Sequence, residues 1–261
     1  MASMKDAWDE CITEHNAIVK YIIAAIPVFC GIYFFKAEPQ NLSIVYTCAV
    51  VTAIIALGAM SRICNNVMNF RETILPTANI FVLLFDAIRA IIAIGPALAI
   101  NGGIAWYLVT NFYPMIAVDW IRIAATYITY AVCGSIVLTV FMLYSKKFNP
   151  LDAFDVKAIS DSCIDVLIQT IWLAIQIAVI DAVLAGIVTY LCWLFIGLDN
   201  FITYIAWSIT AVINIALIGN YLGQLNYEAL HQAEAKAQKK KEKEELKELQ
   251  KSSGPTTPAS F

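Results

Sequence analysis

Apolar residues run in six long blocks along the chain, at residues 17–35, 42–60, 90–112, 120–144, 171–196 and 201–222. A helix needs about 20 apolar residues to cross the hydrocarbon core of a bilayer, and each block comes close to that length. In hydrocarbon every backbone N–H and C=O must be paired internally, so each block must be helical. The ten-residue alternation of a membrane β-barrel is absent. The pattern predicts an all-α, polytopic transmembrane bundle of six helices.

Composition narrows the class further. The 261 residues are 60% hydrophobic and 14% charged, against roughly 45–50% and 25% in soluble domains. Mean hydropathy is +0.71. This balance argues against a water-soluble globular or a disordered chain. A net charge of -3 and a pI near 5.4 argue against a nucleic-acid partner. The bilayer is the expected surrounding, with membrane-protein partners or a homo-oligomer both compatible with it.

Loop charge sets the expected orientation. Arg62 and Arg71 follow the second block, Lys146, Lys147 and Lys157 follow the fourth, and a lysine-dense tail follows the sixth. The alternate connections are poor in cations, Lys36 and Arg122 being the exceptions. Positive loops stay in the cytoplasm, so both termini are expected there, in the cell membrane. The expected organisation is a cytoplasmic segment at 1–16, a six-span domain at 17–226, a charged cytoplasmic helix at 227–251 and a disordered tail at 252–261. The start of the chain lacks the layout of a cleaved signal peptide, so the first span is expected to serve as its own uncleaved signal. Lys20, near the inner end of that span, is placed to snorkel. Trp106, Trp120, Trp172 and Trp193 fall near span ends, as an interfacial aromatic belt would have them.

The spans also read as three repeated hairpins. Residues 21–27 (YIIAAIP) resemble residues 90–96 (AIIAIGP). At an offset of 80 (199 − 119), Asp119 falls on Asp199, Tyr127 on Trp207 and Asn101 on Asp181. A true repeat and the ease with which apolar sequences align are both open. The mostly apolar stretch from Ile80 to Phe112 would be roughly 50 Å long as a helix, too long for one upright span. A cytoplasmic interfacial helix, a bend and then the span are expected there, and a similar approach precedes the fifth span.

The pattern resembles a prokaryotic multi-spanning family, the domain of unknown function numbered four thousand and thirteen. Three stretches carry the likeness: Leu75-Pro76 with Phe81-Val82-Leu83-Leu84-Phe85-Asp86-Ala87-Ile88-Arg89 and Pro96, the pair Ala7-Trp8, and the closing Tyr221-Leu222-Gly223-Gln224. Ala87 stands where the family usually carries glycine. The likeness covers about residues 5–230. It implies a bacterial or archaeal cell-membrane protein and supplies no reaction, substrate or catalytic residue.

Asp181 is the outstanding candidate residue, because an ionised carboxylate in the middle of a span costs several kcal/mol. It stands 18 residues before Asp199, and Asn214 stands 15 after, so at 1.5 Å per residue their depths differ by about 5 Å. A polar core of Asp181, Asn214 and Asn101 can be an ion or proton site, or Asp181 and Asn214 can form one interhelical contact. Gln169 and Gln176 share another face of the same span, which counts against a continuous polar wall. Asn101-Gly102-Gly103 after Gly95-Pro96 marks either a broken helix or a close helix contact, the contact being favoured. Asp86 and Arg89, three apart, are expected to pair on one helix face. Gly219 and Gly223 form a GxxxG suited to close helix packing.

No cofactor or metal is expected. The seven cysteines are scattered without a CxxC, and His15 and His231 lie outside the spans. Three functions are weighed. The first is a non-enzymatic assembly or accessory component of the membrane. The second is a small-solute or ion transporter built on Asp181. The third, least supported, is a lipid enzyme using Asp161 and Asp165.

Overall fold

The computed structural model describes residues 3–37, 40–76 and 79–252, with side chains at all of these except Asp165 and residues 229–252. Among the described residues every regular element is helical: α1 (Met4–Thr13), α2 (Ala17–Ala37), α3 (Leu42–Met68), α4 (Ile80–Tyr107), α5 (Asp119–Lys147), α6 (Val156–Phe195) and α7 (Phe201–Ser252). Six of them are long and apolar enough to cross a membrane. The fold is an all-α, multi-pass membrane bundle. The chain divides into two compact units, Met1–Asn226 and Tyr227–Phe261. The second contains the charged end of α7, helical as far as Ser252. The rest of the tail expected to be disordered, residues 253–261, lies outside the described residues.

Local chemistry sets the helix ends. The Ser3 hydroxyl accepts from Asp6 N at the start of α1, Asn79 Oδ1 accepts from Phe81 N and Val82 N at α4, and Asp155 caps α6 through Ala158 N. Each cap satisfies an N–H that has no partner within its own helix. Between α6 and α7 the chain reverses at Gly197, whose φ of 90° suits glycine. Thr203 Oγ1 donates to Gly197 O there, and Asn200 Oδ1 accepts from Ile202 N.

The expected interfacial helix, bend and span do not form as separate pieces. α4 is one helix of 28 residues and α6 one of 40, or roughly 42 and 60 Å at 1.5 Å per residue. No proline or glycine interrupts 80–94 or 156–185. A bend would strip hydrogen bonds from backbone groups with no partner waiting, so the helix simply continues.

Most of the hydrophobic core sits at one end of the bundle, although α7 is also buried near its start at Thr203, Tyr204 and Ser208. Buried residues on α2 are Ala17, Tyr21 and Ala25, on α3 they run from Ile55 to Met68, and on α5 from Ser135 to Ser145. Those of α4 lie between Leu83 and Ala93, apart from Ala105. This basal end also carries α1, which buries Met4, Ala7 and Cys11. Toward the distal end large apolar side chains such as Tyr46, Ile100, Tyr127 and Ile128 are exposed. Such a surface fits lipid tails, which are as apolar as the side chains themselves.

Close packing at the basal end depends on three glycines. A Cβ at Gly58 would stand 2.0 Å from Leu83 O, so α3 and α4 touch backbone to backbone there. At Gly219 it would lie 3.2 Å from Met60 Cα, and at Gly223 2.7 Å from Val67 Cβ. The GxxxG thus seats α7 on α3 of the same chain. Gly95, Gly102 and Gly103 differ: nothing lies within 4 Å of a Cβ there, and α4 runs through them unbroken. The close contact expected at Asn101-Gly102-Gly103 is absent, because that face of α4 has no helix opposite it.

The contrast is testable by unfolding in detergent micelles. Gly58→Val should destabilise the fold by about 1–3 kcal/mol through overpacking. Gly102→Ala should leave stability unchanged or raise it by about 0.5–1 kcal/mol through backbone entropy.

Candidate functional site

Two polar features stand out: a set of ties at the basal end and a seam between α6 and α7. A polar group buried away from water must find a protein partner or cost free energy.

At the basal end Arg62 of α3 meets Asp86 of α4. Arg62 Nη2 lies 2.5 Å and Nε 2.7 Å from Asp86 Oδ2. Asp86 is 1% exposed. Tyr144 of α5 donates its hydroxyl to Asp86 O at 3.1 Å, and the Arg62 guanidinium stands 4.7 Å from the Phe148 ring centroid. Three helices are therefore joined at one residue, through its carboxylate and its backbone carbonyl. The expected partner, Arg89, is not used. It is exposed and lies 4.3 Å from the Phe85 ring centroid on its own helix. At about 100° per residue Arg89 falls roughly 60° round from Asp86, off the face that α4 buries, whereas α3 brings Arg62 straight to it.

A second tie joins the start of α2 to the α3–α4 connection. Lys20 Nζ pairs with Glu14 Oε1 and donates to Leu75 O at 3.0 Å. Glu14 Oε2 accepts from Ile74 N and Leu75 N at 2.9 and 2.6 Å. Lys20, expected to snorkel, is thus held by the protein.

Asparagines supply the remaining ties. Asn65 donates to Ser145 O and Lys146 O at the end of α5, and Asn66 to Ile74 O. Asn226 donates to Met142 O. Asn220 donates to Glu10 Oε2, Gln224 donates to Asn220 Oδ1 and Ser3 N donates to Gln224 Oε1, which fastens α1 to α7. Interhelical hydrogen bonds contribute about 0.6 kcal/mol each in a membrane, so the set matters more than any member. Cys11 is buried beneath this fastening, and desolvation pushes its thiol up to about 12. Asp199, exposed in the α6–α7 turn, is held below the usual carboxylate range by the Tyr204 hydroxyl and then by Lys36.

The seam holds Asp181 and Asn214. Asn214 Nδ2 donates to Asp181 Oδ1, joining α6 to α7. Trp207 Nε1 donates to Thr189 Oγ1 further along the same seam, at 3.0 Å. A shallow open groove runs beside Asp181 past Ala182, Ala185, Gly186 and Thr189 to Trp193. Neither Asn214 nor Asn101 lines it. Asn101 donates to Ala97 O, one turn back on α4. The structure therefore brings Asp181 and Asn214 together and leaves Asn101 apart. Gln176 Oε1 is buried without a partner. Asp161 is exposed, and the Asp165 side chain lies outside the described residues. Among the described residues no three His, Cys, Asp or Glu side chains gather as a metal site.

Sequence reasoning missed Arg62, Glu14 and the asparagines as tie residues. The available signal was amide side chains inside apolar runs, at Asn65-Asn66 and at Asn220. Comparison with family models, with curated proteins and with solved structures finds no match.

Two outcomes check these contacts. Asp86→Ala strands Arg62, and should cost about 3 kcal/mol, the low end for a broken buried pair because Arg62 keeps some exposure; Arg89→Ala should change unfolding little. A thiol with a raised pKa stays protonated as pH climbs through the ordinary thiol range. Cys11 should therefore escape iodoacetamide at pH 9 in the folded protein and be alkylated on unfolding, read by peptide mass mapping.

Proposed function

We propose that the protein is a non-enzymatic, multi-pass component of the cell membrane that works by assembling with other membrane proteins. One observation carries this reading: the acidic side chains Asp86 and Glu14 and the amides Asn65, Asn220 and Asn226 of the basal end tie one segment of the chain to another. Asp86, Glu14 and Asn220 each face a partner within the chain. The candidate polar core does not close around a solute, since Asp181 pairs with Asn214 beside an open, mostly apolar groove while Asn101 stands elsewhere. Both termini lie in the cytoplasm, a placement supported by Arg62, Arg71, Lys146, Lys147 and the lysine-dense tail on one side. The charged end of α7 is then on the cytoplasmic side, where a cytoplasmic partner is proposed to meet it. Membership of the multi-spanning prokaryotic family is supported by the stretch Phe81–Arg89 with Pro96 and fits the same placement.

Affinity purification of the full chain in mild detergent, followed by mass spectrometry, tests the assembly reading. Stoichiometric recovery of a second membrane protein is expected. Recovery of the chain alone, with solute flux in proteoliposomes that Asp181→Asn abolishes, would overturn it in favour of transport. A reporter fused after Phe261 should be active only in the cytoplasm.

A further inference from the structure

Asp181 is the sixteenth of the thirty residues in the span Val166–Phe195, a depth at which a charge is costly without a partner. It lines the open groove along α6, beside Ala182, Ala185 and Gly186, with Trp193 at the far end. Asp181 and Trp193 are twelve residues apart, roughly 18 Å along the helix. A Cβ at Gly186 would meet nothing within 4 Å, so this side of α6 has space for a second helix backbone to approach closely.

We propose that this groove seats one transmembrane helix of a different membrane protein, and that the helix carries a lysine or arginine level with Asp181. The proposal rests on the assembly reading and adds the chemistry of the partner. Charge complementarity carries it. Asn214 gives Asp181 one neutral amide, on Oδ1, and no described residue donates to Oδ2. The ion pairs of the described residues use Glu14, Asp86, Asp119 and Asp199, not Asp181. From Ala158 to Glu228 the chain has no lysine or arginine. A lipid tail can fill the groove but cannot pair with a carboxylate, whereas acids and bases inside a membrane pair with one another.

A second copy of the chain does not supply that cation. Lys20, Lys36, Arg62 and Arg122 are paired with carboxylates of their own chain. Arg89 is exposed, but its neighbour Ala90 shares a packed cluster with Ala153, just before α6. Arg89 therefore stands near the level at which α6 begins. Asp181 stands 25 residues beyond Val156, roughly 37 Å along α6. In one membrane a second copy keeps its Arg89 at the same level, far from the groove.

The test places the full chain in phosphatidylcholine bilayers with synthetic leucine–alanine transmembrane peptides, each bearing a photoreactive diazirine beside its central residue. That residue is lysine, glutamine or leucine. After irradiation, peptide mass mapping locates the crosslinks. The lysine peptide should label residues 181–193 about tenfold more than either of the others. Asp181→Asn, which keeps an oxygen for Asn214, should abolish that preference while helical content and elution volume stay the same. Gly186→Leu, which fills the groove, should remove the labelling; if it fails to fold, Ala185→Leu gives the same reading. Equal labelling by the glutamine peptide, a lysine preference that survives Asp181→Asn, or a dimer of the chain that Gly186→Leu dissociates overturns the proposal. Affinity purification separates this result from the assembly reading. A native partner recovered equally with the unaltered chain and with Asp181→Asn overturns the groove and leaves assembly standing, whereas an unaltered chain recovered alone overturns both.

Discussion

The bundle depends on the rule that a polar group removed from water must meet a partner. Asp86 shows the rule at its strongest. A carboxylate 1% exposed is stable because Arg62 reaches it from the neighbouring helix with two nitrogens. The pairing fixes α3 against α4, and the Tyr144 hydroxyl adds α5 through the backbone carbonyl of the same residue. Glu14, buried by the chain around it, gathers two backbone N–H groups and Lys20 under the same demand. The polar side chains of the basal end therefore act as locators. They specify which helix stands beside which, in a setting where apolar contact alone distinguishes poorly between protein and lipid.

Close packing completes what the ties begin. Hydrogen bonds such as Asn65 to Ser145 O and Asn226 to Met142 O require helix backbones to come near one another. Gly58, Gly219 and Gly223 permit equally close approach of α4 and α7 on two other sides of α3. α3 becomes the central helix of the basal end, holding α4 by an ion pair, α5 by amides and α7 by two glycines. Toward the distal end such devices are fewer: Lys36 stands 3.6 Å from an exposed Asp199 carboxylate, and Asp119 pairs with Arg122 only on its own helix. Large apolar side chains face outward there and take hydrocarbon as their packing partner.

That asymmetry bears on function. The charged and amide ties lie mostly at the basal end, while Asp181, Asn214 and the buried hydroxyls of Thr203, Ser208 and Thr210 stand further along α6 and α7. Asp181 is a carboxylate within the span of α6, and it accepts from one amide, Asn214, across a two-helix seam. Such a pair orients α6 against α7.

Much of the architecture was legible in the sequence. Six apolar blocks dictated six spanning helices, because length and hydropathy bear directly on the cost of backbone groups in hydrocarbon. The depths of Asp181 and Asn214 followed from counting residues either side of a short turn, and the contact was accessible for that reason. The partner of Asp86 was not. Arg89 is near in sequence, but its angular position on α4 turns it outward, and only the packing of α3 decides that Arg62 arrives instead. The glycines divide the same way. Gly58 and Gly102 look alike in an apolar run, yet one lies against a neighbouring backbone and the other meets open space. Periodicity and length are properties of a single segment and can be read from it. Which side chain answers a buried charge, and which glycine meets a neighbour, depend on the angle and height at which separate helices dock, which no single segment contains.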